Sequence, residues 1–382
     1  MSVSRLNKGP GAVVVRGVSI GKFAAPWLLG AIMALPAGIS AYSPQDLATL
    51  SASGQCPGCD LRDASLAGSQ LAGAGLSGAD LRGADLSDSI LARADLSGAD
   101  LRGARMQGAS MYRVDLSGAN LEGQQIPGAR LSHANLEQAN LSLASLPGTN
   151  LDGANLKDAN LGGTDFSGAI LKNARLAGAN LAGANLANAD LRLLDLSEVV
   201  SLEKADLSGV KGRRLRLQGV NLSGARLASA ELEKADFSRA RLEGADFSGA
   251  NMPGVRMEGA DLRRAVFERA IMRGVRMRDA QLDGARFAGA ALSGNFVGMD
   301  FSGFDLTGTS FGGANLKDAR FVGASLERAD FSKANLYGAD FSGADLNHAS
   351  FERANLATAV FDGARLEGAS FDDARGLEPP PR

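Results

Sequence analysis

Ala79-Asp80-Leu81-Arg82-Gly83-Ala84-Asp85-Leu86 decides the fold of this chain. A large apolar residue returns at the fifth place, with Ala two residues before it and Asp directly before it. The same pattern, A-(D/N)-L-x-G, recurs from Leu61 to Phe371, as in Ala154-Asn155-Leu156-Lys157-Asp158. A period of five fits neither a helix nor a simple alternating strand. It describes one short unit stacked along an axis, a solenoid. Leu81 and Ala79 are two apart, the spacing that puts side chains on one face of an extended segment. Those two positions fill the interior, and the three between successive inward pairs face water. Leu81, Leu156, Phe311 and Phe331 are therefore expected in a buried core ladder.

The corners are legible as well. Pro-Gly follows the large residue in Ile126-Pro127-Gly128, Leu146-Pro147-Gly148 and Met252-Pro253-Gly254. Pro presets φ near −65° and Gly accepts positive φ at the next position, which is the type II turn signature. A twenty-residue period shows in Asn251-Met252-Pro253-Gly254-Val255-Arg256-Met257, which returns as Ile271-Met272-Arg273-Gly274-Val275-Arg276-Met277. Toward the C-terminus Phe and Leu alternate at the large position: Phe301, Leu306, Phe311, Leu316, through to Phe371. Sorting large and slimmer side chains by wall favours one packing register.

These residues resemble the pentapeptide repeat family over positions 56–375. The resemblance implies an all-β, right-handed, four-sided β-helix with one pentapeptide per side and twenty residues per coil. No catalytic activity and no cofactor are expected, since nothing in the sequence supplies an acid–base or nucleophilic pair.

Two steps break the spacing. Leu196 to Leu202 is a six-residue step through residues 197–201, and Leu292 to Phe296 is a four-residue step that restores the phase. A bulge and a compensating deletion is one reading; a recognition loop is the other. Val210-Lys211-Gly212-Arg213-Arg214-Leu215-Arg216 is the better loop candidate, because Gly212 stands where a large residue belongs and four cations cluster around it.

Residues 1–41 differ in kind. Arg5, Lys8, Arg16 and Lys22 precede an apolar stretch from Phe23 to Ala41, ending Ile39-Ser40-Ala41. That order describes a secretory signal, with a retained membrane anchor or a misplaced start as alternatives. The basic side should stay cytoplasmic, so the expected location is periplasmic or extracellular, or inner-membrane anchored with the solenoid outside. Residues 42–55 form a short N-terminal capping helix, with Ser43 as N-cap, Pro44 at its first position and Leu47 and Leu50 on one face. Residues 376–382 are a Pro-rich tail that leaves the last coil thinly covered.

Cys56-Pro57-Gly58-Cys59 holds the two cysteines of the chain. A redox pair lacks its βαβ setting, and a zinc site lacks partners. The Pro-Gly turn brings the pair close enough for a disulfide if the chain is exported. A similar stretch opens the repeats of many exported-looking family members.

No acid–base or nucleophilic constellation is present. His133 and His348 sit at outward corners, separated by ~50 Å at ~4.8 Å per coil. Charge is uneven: residues 42–200 carry 11 basic and 17 acidic side chains, 201–290 carry 17 and 12, and 291–382 carry 8 and 13. The expected function is a structural or interaction scaffold of the cell envelope with an unknown partner. One alternative is a DNA-mimicking, gyrase-binding protein, as in gyrase-protecting family members, although a mimic of duplex DNA needs a strongly acidic surface. Another is a binder of anionic polymer or lipid head groups through the basic middle. Arg213, Arg214, Arg216, Arg256 and Arg276 are the residues expected to carry that surface.

Overall fold

The computed structural model describes residues 41–377. The signal or anchor expected over 1–41 lies, apart from Ala41, outside the described residues, as does the tail from residue 378 onward. No helix among the described residues is long and apolar enough to cross a membrane.

The chain opens with helix α1, Pro44–Ser53. The Ser43 hydroxyl accepts the Asp46 amide at 3.2 Å, and Gly54, with φ 68°, ends the helix by donating its N–H to Leu50 O. Ser, Pro and Gly therefore stand where the orphan amides and carbonyls of a helix need them. Leu47 and Leu50 are buried. The Asp46 carboxylate accepts the Asp60 amide at 2.9 Å, and the Ser43 amide reaches Asp60 O at 2.9 Å. These bonds fasten the helix over the start of the repeats.

From Gln55 onward each wall pairs in parallel with the residue twenty places on: Asp60 with Asp80, Asp80 with Asp100, Asp100 with Asn120. The Leu81 amide donates to Asp100 O at 2.8 Å, and the Asp100 amide returns to Ala79 O at 3.0 Å. Every fifth residue closes a turn, as where the Ala84 amide reaches Leu81 O at 3.0 Å. The third residue of each turn has positive φ: 66° at Gly128, 65° at Gly148 and 68° at Gly254. Non-glycine residues take the same conformation elsewhere, including Arg93 and Leu193. The turn bond and the bonds to the next coil together fix these residues against their own preference.

Leu81, Leu156, Phe311 and Phe331 are fully buried. The phenylalanines form two columns. Phe311, Phe331 and Phe351 stack at 5.1 Å per step, and Phe321 and Phe341 stack at 4.9 Å. The columns meet edge-on, with Phe321 and Phe331 at 5.6 Å and 80°. The face-to-face spacing is close to the ~4.8 Å separation of paired strands, so one ring per coil fills the interior without a gap.

Both irregular steps are absorbed locally. Near residue 200 the Val200 amide takes Ala179 O at 2.8 Å while Ser201 holds the bridge to Asn180. Two residues thus stand where one does in other coils, which is a bulge. Near residue 294 the walls straighten into β1, Ile271–Val275, and β2, Ala291–Gly294, paired in parallel with an irregularity between Arg273 and Val275. Gly294 has φ 151°, and a Cβ there would lie 2.7 Å from Val275 O.

The segment 210–216 runs as an ordinary coil and not as a protruding loop: Val210, Leu215 and Leu217 are fully buried, the Lys211 backbone pairs with Asp190 and Glu231, and the Arg216 backbone pairs with Asp195 and Asp236. The large residue missing at Gly212 is replaced sideways. Leu215, at a position that elsewhere holds a small residue, fills the space together with Leu232 of the next coil.

Candidate functional site

Each turn projects two residues beyond the walls. At the corner that follows Leu171, Leu191 and Gly212, these are Lys172 and Asn173, Arg192 and Leu193, then Arg213 and Arg214. The Leu193 amide donates to Arg213 O at 3.0 Å, so these turns sit directly over one another. Together they line a cleft of about 450 Å³, completed by Ala174, Asp190, Leu194 and Asp195.

Two carboxylates temper the charge. Arg192 binds Asp190 through both carboxylate oxygens, at 2.8 and 2.6 Å. That hydrogen-bonded guanidinium holds the Asp190 carboxyl below its usual range. Arg213 reaches Glu233 at 3.4 Å. Lys172 and Arg214 have no ion-pair partner among the described residues. Leu193 lies between these cations, 69 % exposed and held at φ 63°.

The sequence-derived set divides between this corner, with Arg213 and Arg214, and the wall that follows it, with Arg216, Arg256 and Arg276, and most of it is already paired. Arg216 binds Asp195 at 2.8 Å, and Arg256 binds Asp236 at 3.2 Å and Glu258 at 3.7 Å. Asp236 is buried and also accepts Gln218 Nε2 at 2.8 Å and the Ser238 amide at 3.0 Å. Arg276 stacks beside Arg256 and has no ion-pair partner among the described residues. Stacking places Arg263 beside Asp283, while its close ion pairs are with Asp261 of its own coil at 2.7 Å and Glu243 at 3.7 Å. Lys172 and Arg192 escape a count by segment because they precede residue 201. Their signal is a cation at the same turn position one coil apart.

Elsewhere many of the Asp and Asn residues that stand before a large apolar one work for the turn. The Asp85 carboxylate accepts the Ser87 amide at 3.1 Å, and Asn140 accepts the Ser142 amide at 3.2 Å. Where Arg follows, it closes a fork, as in Asp80 with Arg82 and Asp100 with Arg102. Cys56 and Cys59 are joined by a disulfide with Cα atoms 5.4 Å apart, and Cys56 Sγ lies 3.1 Å from Asp46 O beneath α1. His133 and His348 occupy separate turns at φ 57° and 60°. No group of three His, Cys, Asp or Glu residues among the described ones could hold a metal ion.

Solved structures similar to this chain include HetL, a pentapeptide repeat protein involved in heterocyst differentiation regulation from the cyanobacterium Nostoc sp. strain PCC 7120. It is 28% identical, covering 64% of this chain and 91% of that one, with a TM-score of 0.19. QnrB1, a plasmid-mediated fluoroquinolone resistance protein solved in a trypsin-treated form, is 18% identical over 61% of this chain and 93% of its own, with a TM-score of 0.21. A pentapeptide repeat protein from the Arabidopsis thaliana thylakoid lumen is 22% identical over 43% and 70%, with a TM-score of 0.16. At these scores none bears on this chain's partners. No curated protein matches. The family model described as pentapeptide repeats matches successive segments from residue 58 to residue 373, and the chain belongs to that family.

Proposed function

We propose that this protein is a non-enzymatic interaction scaffold: a right-handed, four-sided β-helix carried outside the inner membrane. The observation behind it is the parallel pairing at twenty-residue steps from Gln55 to Arg375, which leaves every wall lined with outward side chains at a regular pitch. Such a surface positions partners rather than reacting with them, and the family is generally non-catalytic. At ~4.8 Å per coil the rod is about 75 Å long. Small-angle scattering tests the shape, and a compact sphere would overturn it.

The location rests on the leader sequence. Fractionation with N-terminal sequencing tests it. Trp27 is the single tryptophan, so a form cleaved after Ala41 shows tyrosine emission alone. A soluble cytosolic protein with an intact start would remove the envelope reading and favour the DNA-mimic alternative. The cations stacked along one corner oppose that alternative, since a duplex mimic presents phosphate-like charge.

A second reading is favoured by that same corner. Lys172, Arg192, Arg213 and Arg214 line one cleft and suit an anionic partner. Binding of this kind weakens as salt rises.

A further inference from the structure

We propose that the corner built from Lys172, Arg192, Leu193, Arg213 and Arg214 docks the rod edge-on against an anionic phospholipid surface. The inference rests on the anion-binding reading above and gives that anion a source.

Three features carry it. First, the cations stand on three successive coils, and at ~4.8 Å per coil they fall within about 10 Å along the rod axis. An edge meets a plane along a line, so a flat charged surface engages all of them together. Second, Lys172 and Arg214 have no ion-pair partner among the described residues, while the Arg216–Asp195 and Arg256–Asp236 pairs beyond them are closed. Two cations at the cleft are therefore left to meet an outside anion. Third, Leu193 protrudes from the middle of the cluster, 69 % exposed, at φ 63°, a conformation that suits glycine better than a branched side chain. Many of the corresponding turn positions hold glycine, including Gly153 and Gly254. A soluble polyanion has no use for this side chain. At a headgroup boundary it is buried among acyl chains while the flanking cations meet phosphates, the combination that retains amphipathic surfaces at membranes.

The test is co-sedimentation of the full-length protein with vesicles of equal parts phosphatidylglycerol and phosphatidylcholine, against phosphatidylcholine alone. Wild-type protein is expected to bind the mixed vesicles and to be released by salt. Lys172→Gln with Arg214→Gln, which breaks no ion pair, should weaken that binding about tenfold with an unchanged melting temperature. Leu193→Ser should weaken it while keeping the salt dependence. Arg239→Gln with Arg269→Gln removes two cations without ion pairs from other corners and should change nothing. Equal loss in that control would reduce the effect to net charge and overturn the site. Undiminished binding by the Lys172/Arg214 variant would overturn it too, assigning attachment to another part of the chain. Binding to soluble polygalacturonate but not to vesicles would overturn the lipid assignment while leaving the anion-binding reading intact.

Discussion

Leu215 occupies the space that Gly212 leaves open. A Cβ at position 212 would lie 3.2 Å from Leu215 Cδ2 and 2.8 Å from Leu232 Cδ2. The two positions have exchanged roles across one turn: the large side chain follows the turn instead of preceding it, and the small residue precedes it. Interior volume is conserved, so the coil keeps its register while its turn carries Arg213 and Arg214 outward.

Gly212→Leu alone should therefore overpack the coil and cost about 1–3 kcal/mol. Leu215→Ala alone should leave a cavity and cost about 2–5 kcal/mol. The double variant restores the ordinary repeat and should be more stable than the sum of the single costs allows. Denaturant unfolding of all four proteins gives the coupling, and strict additivity would show that the two sites do not share space.

Gly294 carries the other irregularity. Its φ of 151° and the 2.7 Å approach of Val275 O to any Cβ make it intolerant of a side chain. Gly294→Ala is expected to lower stability by roughly 2 kcal/mol or more. Gly298, at φ 68° with open space around it, serves as the comparison. Gly298→Ala should cost about 1–2 kcal/mol, the left-handed penalty alone. Equal losses at the two sites would mean that the contact with Val275 carries no weight.

The inward phase is tested at four buried positions. Replacing Leu81, Leu156, Phe311 or Phe331 by Ala should cost about 2–5 kcal/mol each, because every one is fully buried and leaves a cavity. Lys157→Ala, on the outer face, should stay within about 0.5 kcal/mol. The phenylalanine losses should exceed the leucine ones, since Phe331 also gives up stacking on Phe311 and Phe351. Comparable effects at inward and outward sites would shift the assigned phase.

Most of the architecture could be read from spacing, because a side chain every fifth residue has one way to be buried and Pro-Gly marks where the chain turns. The exceptions share a cause. Gly212 reads as a lost core residue in the five-residue count, because the count follows only the large position and Leu215 supplies the bulk from the small one across the same turn. The Asp80–Arg82 fork was legible in principle, since residues two apart flank one inward side chain and share the outer face. The cationic corner was only half legible. Arg213 and Arg214 stood out by local density, whereas Lys172 and Arg192 join them through a step of twenty or twenty-one residues that the bulge at Val200 makes irregular.

Those same-coil forks set the response to acid. Asp60, Asp80 and Asp100 are each held below the ordinary carboxyl value of 3.8, first by the hydrogen bonds from Arg62, Arg82 and Arg102. A carboxyl with a depressed folded pKa contributes stability that is fully present above its unfolded value and is lost as pH falls through the folded one. The N-terminal coils should therefore be insensitive to pH near neutrality and weaken progressively below about pH 4. The arginines and their half-buried carboxylates remain in reach of solvent, so each fork contributes little by itself and high salt should flatten the dependence. Replacing Arg62, Arg82 and Arg102 together by Gln should reduce the stability lost between neutral pH and about pH 2, because the carboxyls then titrate more nearly as they do unfolded. Thermal melts of both proteins across that range measure the difference. An acid dependence as steep in the triple variant as in the wild type would place the sensitivity in other carboxylates, with Asp236 and Asp261 the next to examine.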